Sequence, residues 1–192
     1  MKCSMLSLLL AMLMYFCVGH SLAQTGLTDD VDSQSESMAD VMNYFPMTNG
    51  VGTAGQPTPA QFALIKAAKY SAVINLAVAQ SVNALPNEAK IVTDLDMSYQ
   101  HIPVPWDAPT ASHVKEFFET MDMLRHQASP VLVHCAANYR ASVFTYKYLT
   151  LRQGLSKEEA TTPLLKEWLP QMDDNWKAIM ALSLNDIEKL LP

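Results

Sequence analysis

The sequence predicts an α/β chain, a small and mostly parallel sheet flanked by helices, with a helical cluster at its C-terminus. Two short apolar runs of strand length, Ala72 to Leu76 and Pro130 to His134, stand between segments whose apolar residues recur at helical spacing. No internal repeat or second domain interrupts that alternation. The 192 residues are 49% hydrophobic and 17% charged, enough for one domain with its own core and unlike a disordered or collagen-like polymer.

The N-terminus reads as a targeting segment. Residues 1–23 carry one positive charge, Lys2, then an apolar stretch from Met5 to Phe16, then Gly19-His20-Ser21-Leu22-Ala23. This is the layout of a secretory signal peptide, with Ser21 and Ala23 as the small residues of the cleavage site. An uncleaved transmembrane anchor is the alternative, but the apolar core is short and a small, polar flank follows it. Cys17 follows Met14-Tyr15-Phe16, without the small residues that lipoprotein processing needs. Cleavage implies an exported protein, periplasmic or secreted, with no stable membrane insertion. It also removes Cys3 and Cys17, leaving Cys135 alone in an oxidising compartment with no internal disulfide partner.

Residues 24–41 are rich in Asp, Ser, Gln and Thr and read as a flexible acidic lead-in, so the domain proper is expected over 42–192. A turn-rich stretch from Thr48 to Pro57 leads to a helix from Thr58 to about Lys69, with Thr58 as cap and Pro59 at its first position. Phe62, Leu64, Ile65 and Ala68 form its apolar side. After the Ala72 strand, Asn87 to Leu95 is a helix with Ala89, Ile91, Val92 and Leu95 inward. Tyr99 to Val104 alternates as a strand and runs into the proline-bounded loop Pro105-Trp106-Asp107-Ala108-Pro109. Thr110 to Gln127 is helical, with Val114, Phe117, Phe118, Met121 and Leu124 on one stripe. A helix from about Arg140 to Gln153 follows the Pro130 strand. Helices at about 157–169 and 173–191 close the chain, the first opened by a Ser156 capping box and bent by Pro163.

With 13 basic against 19 acidic side chains and a net charge of −6, the chain lacks the clustered cations that phosphate backbones require, so no nucleic-acid partner is expected. His101, His113 and His126 lie on different elements without paired ligand spacing, and no Gly-rich nucleotide loop stands out, so neither metal nor cofactor is expected.

The informative segment is Val131 to Ser142. A strand ends at Cys135, four residues follow, and a helix starts at Arg140. Such a loop aims backbone N–H groups and the positive helix end at one point, which favours a thiolate and cradles an anion. Arg140 adds a planar fork of donors matched to oxyanions. The bland reading of Cys135 is a small buried hydrophobe. His134 is expected to bond the backbone, which also suits a supporting role in orienting the cysteine loop.

His134-Cys135 followed by four residues and Arg140, after Val131-Leu132-Val133, resembles the signature loop of cysteine-dependent protein tyrosine and dual-specificity phosphatases. The resemblance is closer still to the bacterial phosphatase-like domain also found fused to metallo-β-lactamase-type hydrolases. It extends over Asn43-Tyr44, Gly55-Gln56-Pro57-Thr58, Val73-Ile74-Asn75-Leu76, His101-Ile102-Pro103-Val104-Pro105 and Val131 to Ser142. It implies a dual-specificity-phosphatase-like fold and a phosphate-ester substrate, phosphotyrosine included. Cys135 would then attack phosphorus, while Arg140 and the loop of Ala136, Ala137, Asn138 and Tyr139 hold the phosphoryl oxygens. Asp107 sits where these phosphatases carry a general acid. A helix N-terminal charge ahead of Thr110 is its alternative role.

Three features set this loop apart. Tyrosine phosphatases have five residues between Cys and Arg, whereas four is also the spacing of rhodanese-like sulfurtransferases, whose cysteine carries a persulfide. The usual loop glycine is replaced, with Asn138 where a left-handed residue is expected. The hydroxyl that normally follows Arg is displaced to Ser142. A sulfurtransferase or a non-catalytic module that binds an oxyanion or a partner therefore stand beside the phosphatase reading.

Overall fold

Five strands form one mixed sheet in the computed structural model, which describes residues 36–127 and 130–189. The chain divides at Gln34/Ser35, and every described residue lies in the second unit, Ser35–Pro192. The expected signal peptide and most of the lead-in fall outside the described residues. The strands are β1 (Phe45–Pro46), β2 (Val51–Ala54), β3 (Ala72–Asn75), β4 (Ser98–His101) and β5 (Val131–His134), in the order β1-β2-β5-β3-β4. β2, β5, β3 and β4 run parallel, and only β1 is antiparallel, to β2.

Side chains alternate across a strand, so a parallel sheet covered on both faces sends alternate residues into two cores. Ala72 and Ile74 of β3 and Val131 and Val133 of β5 enter the larger core, while Val73 and Leu132 enter the smaller one. Helices α1 (Gln61–Ala67) and α2 (Glu88–Asp94) supply Phe62, Ile65 and Val92 to the smaller core. Helices α3 (Ala111–His126) and α4 (Tyr139–Leu151) supply the larger one, with the expected stripe of Val114, Phe117, Phe118, Met121 and Leu124 all buried. The C-terminal cluster is α5 (Lys157–Ala160), α6 (Pro163–Trp168), α7 (Asp174–Ala181) and α8 (Leu184–Glu188).

Several boundaries differ from the sequence expectation, each for a local reason. The fold begins before residue 42: Ser37 caps the 3-10 turn Met38–Asp40, Val41 is buried, and Gln61 Nε2 donates to the Asp40 carbonyl at 3.1 Å. The turn-rich stretch contains β2, wholly buried between β1 and β5. Glycine suits β2 because a Cβ at Gly52 would run into the Tyr70 hydroxyl, which is bonded to Tyr44 at 2.9 Å. Thr58 does exchange bonds with Gln61, but α1 starts only at Gln61. β4 ends at His101, although the amides of Ile102 and Val104 still donate to the Asn75 and Leu76 carbonyls, at 2.9 and 3.2 Å, with Pro103 and Pro105 at the alternate positions. Pro163 starts a new helix instead of bending one, with Thr162 as its cap, and Ser183 likewise restarts the chain as α8. On α2, Ala89 is exposed and Glu88 is buried in its place. None of the described helices is long and apolar enough to cross a membrane.

Candidate active site

Parallel strands end together at one edge of the sheet, and β5 delivers His134 and Cys135 to that edge between β2 and β3. Cys135 continues the pairing through its amide, which donates to the Ala54 carbonyl at 3.3 Å. The chain then turns through Ala136, Ala137 and Asn138 into α4. Asn138 has φ 74°, the left-handed conformation expected of it, which Asn tolerates better than most residues. Its amide locks the turn: Nδ2 donates to the Asn43 carbonyl at 2.6 Å and to Thr53 Oγ1 at 3.1 Å.

The loop's carbonyls are held outward. That of Ala136 accepts from the Gln56 amide at 3.2 Å and from Asn83 Nδ2 at 2.8 Å, and that of Ala137 accepts from Asn43 Nδ2 at 3.1 Å. A loop fastened by its carbonyls turns its N–H groups the other way. No described acceptor takes the amides of Tyr139 and Arg140, the first two residues of α4.

Arg140 is 5% exposed. Its Nη1 donates to the Val104 carbonyl at 2.8 Å, and its Nε has no partner. Among the described residues no carboxylate pairs with it. The bond to Val104 ties the guanidinium to the segment that leads into Asp107. Asp107 itself is exposed, and its main-chain carbonyl accepts from Asn175 Nδ2 at 3.0 Å. Next to it, the Trp106 carbonyl accepts from Trp176 Nε1 at 2.9 Å. The Trp106 ring stacks on Trp168 at 5.4 Å and meets Tyr139 of the cysteine loop edge-on at 6.1 Å. The helical C-terminus thus pins the Asp107 loop beside the cysteine loop. The helix-capping role belongs to Thr110, which exchanges bonds with His113.

Cys135 is 1% exposed and packs with the larger core, and no described group bonds its sulfur. Two supporting residues differ from expectation. Ser142 Oγ donates to Asn138 Oδ1 at 3.2 Å and is bonded to Thr162 Oγ1 at 2.8 Å, so it braces the loop against the α6 cap. His134 bonds a carboxylate instead of the backbone: its Nε2 lies 2.9 Å from Glu88 Oε1.

Glu88 is the residue that sequence reasoning missed. It is 2% exposed and accepts from Asn75 Nδ2 at 2.9 Å and from Gln56 Nε2 at 2.5 Å. Burial pushes its carboxyl up, but the His134 hydrogen bond and charge, with Gln56 and Tyr99, hold it below the usual value. Burial and the Glu88 charge keep the Tyr99 phenol well above its ordinary value. The one sequence signal was a carboxylate at the head of a helix, which normally means a solvated first-turn charge.

No family model matches the chain, and none of the curated proteins matches it. Solved structures do. A candidate phosphatase of the DUF442 type from Shewanella putrefaciens CN-32 is 35% identical, with a TM-score of 0.66 over 74% of this chain and 91% of that one. P. aeruginosa TpbA in complex with phosphotyrosine is 16% identical, with a TM-score of 0.57 over 81% of this chain and 90% of that one. Tk-PTP in its active form is 19% identical, with a TM-score of 0.56 over 73% and 92%. At that identity the last two speak for the fold alone. The Shewanella protein, at 35% identity across nine-tenths of its length, does more: this chain belongs to the DUF442 family, built on the fold of cysteine-dependent protein tyrosine and dual-specificity phosphatases.

Proposed function

We propose that the protein is an exported cysteine-dependent phosphatase that hydrolyses phosphate monoesters through a phospho-cysteine intermediate. The observation that carries this reading is the isolation of Arg140. A buried guanidinium without a carboxylate is costly, by several kcal/mol on the order of a desolvated ion, unless an anion completes its surroundings. The unpaired Nε and the free amides at the head of α4 suit the oxygens of a phosphoryl group. The phosphotyrosine bound by TpbA supports a phosphate-bearing substrate for the shared fold.

In this reading the Cys135 thiolate attacks phosphorus, forming the P–S bond as the P–O bond to the leaving group breaks. Arg140 and the loop amides hold the three remaining oxygens, and the Asp107 carboxyl gives its proton to the departing oxygen. The Asp107 carboxylate then takes a proton from water as that water attacks phosphorus. The P–S bond breaks, and phosphate and the thiolate are released. A second reading, an oxyanion-binding module without turnover, draws on the near-complete burial of Cys135.

Hydrolysis of p-nitrophenyl phosphate tests the first reading. Cys135→Ser should lose at least about a thousandfold in kcat, and Asp107→Asn about a hundredfold or more with poorer leaving groups. Sulfur transfer from thiosulfate onto Cys135 without phosphate release would assign the protein as a sulfurtransferase. Tungstate binding that Arg140→Ala abolishes, with neither activity, would assign it as a binding module.

A further inference from the structure

We propose that Glu88, a residue outside the cysteine loop and 47 positions before Cys135 in the sequence, is the positioning residue that holds His134 and Gln56, and through them the cysteine loop, in the reactive geometry. This role rests on the reading of Cys135 as a reactive thiolate and adds to that reading a residue on another element.

The geometry is a three-way tie. One carboxylate oxygen of Glu88 accepts from Asn75 at the end of β3 and from His134 at the end of β5, and the other accepts from Gln56, just beyond the end of β2. These are the three neighbouring central strands of the sheet. Two of the tied residues adjoin the loop directly. His134 precedes Cys135, and the Gln56 amide donates to the Ala136 carbonyl, one residue past the thiol. A carboxylate at the head of an exposed helix gains little from its position, about 0.3–1 kcal/mol. Sinking Glu88 to 2% exposure forfeits its hydration, so its burial calls for a purpose beyond capping α2.

The chemistry of the pair follows from its charge state. An ionised carboxylate only accepts hydrogen bonds, so Nε2 of His134 carries a proton directed at Glu88. Glu88 thereby fixes the imidazole orientation on the face of the sheet that carries Phe62, while the Cys135 side chain packs on the opposite face, so the tie acts on the loop through the backbone. The ionisable groups facing this cluster are Tyr99 and His101 from β4. Without the carboxylate, three buried donors lose a common acceptor.

The test is the pH dependence of Cys135 alkylation by iodoacetamide in the full chain, followed on the Cys135 peptide by mass spectrometry so that Cys3 and Cys17 do not contribute. The wild-type midpoint should lie below the ordinary thiol value of about 8.5. Glu88→Gln should raise it by at least about half a unit and slow alkylation at pH 7 about threefold. Glu88→Asp keeps the charge but shortens the reach, and should shift the midpoint partway in the same direction. A low wild-type midpoint that neither variant moves overturns the role of Glu88 and leaves the thiolate reading standing. If Glu88→Gln does not fold, an unmoved midpoint in Glu88→Asp overturns it alone. A wild-type midpoint near 8.5 overturns the thiolate reading and this role together.

Discussion

Asn138 carries two separable loads, and replacing it by Gly and by Ala pulls them apart. Its backbone sits at φ 74°, and its buried side chain makes three hydrogen bonds, to Asn43, Thr53 and Ser142. Asn138→Gly keeps the left-handed turn but deletes all three bonds. Two of the partners, Thr53 and Ser142, are themselves fully buried, although Ser142 retains Thr162. At about 0.5–1.5 kcal/mol net for each bond, the Gly variant should lose about 2–3 kcal/mol. Asn138→Ala loses the same bonds but, unlike Gly, keeps a Cβ in the left-handed region without the local bonding by which Asn tolerates it, and should fall below the Gly variant by about 1–2 kcal/mol. Urea unfolding reads both: with a slope of about 2 kcal/mol/M, the midpoint falls by about 1–1.5 M for Gly and about 2 M for Ala. Coincident midpoints for the two variants would refute the backbone argument. A Gly variant as stable as wild type would refute the view that the Asn138 amide locks the cysteine loop.

Two further outcomes follow from packing and from titration. Gly52→Ala forces a methyl group against the Tyr70 hydroxyl inside the sheet and should destabilise by about 1–3 kcal/mol. Tyr70→Phe in the same background should recover part of that loss by urea unfolding, and no recovery would place the strain elsewhere. Burial pushes the Lys147 ammonium down from 10.5 to about 8, with Asp186 opposing, while burial and Asp122 push the Tyr148 phenol up from 10.0 to about 12. Between pH 8 and 10.5 the unfolded chain holds the lysine proton that the folded chain has released, so stability rises with pH. Above pH 10 the unfolded tyrosines lose protons that folded Tyr70, Tyr99 and Tyr148 keep, so stability falls. The urea midpoint should therefore peak between about pH 8 and 10, and Lys147→Met should abolish the rise while keeping the fall. A wild-type midpoint that declines steadily from pH 7 would contradict this.

Much of the fold was legible because its causes are local. The stripe on α3 and the apolar runs of β3 and β5 follow from periods of 3.6 and 2 residues, which each segment displays by itself. The elements that were misread are those whose identity depends on distant partners. β2 looks like a turn in sequence, since Thr48-Asn49-Gly50 precede it and glycines punctuate it, yet it is a buried strand because β5 pairs along its whole length. The sequence alone places Pro163 and Ser183 inside continuous helices, but their neighbours Thr162 and Leu182 adopt extended ψ values and each break begins a new cap.

The candidate site divides along the same line. Cys135, Arg140 and the left-handed Asn138 fall within six consecutive residues at a strand-to-helix junction, so backbone geometry and composition alone determine their common loop. Trp106 reaches that loop, with Asp107 next to it in the chain, because Arg140 bonds Val104 and the Trp168 and Trp176 side chains hold the segment. Glu88 lies 32 residues from Gln56, 13 from Asn75 and 46 from His134, and no periodicity or motif links positions so far apart. Sequence by itself determined the α/β alternation and the one chemically poised loop, because both are written in near neighbours. Tertiary structure alone decided which buried carboxylate stands behind that loop, because parallel strands bring their distant ends to a single edge of the sheet.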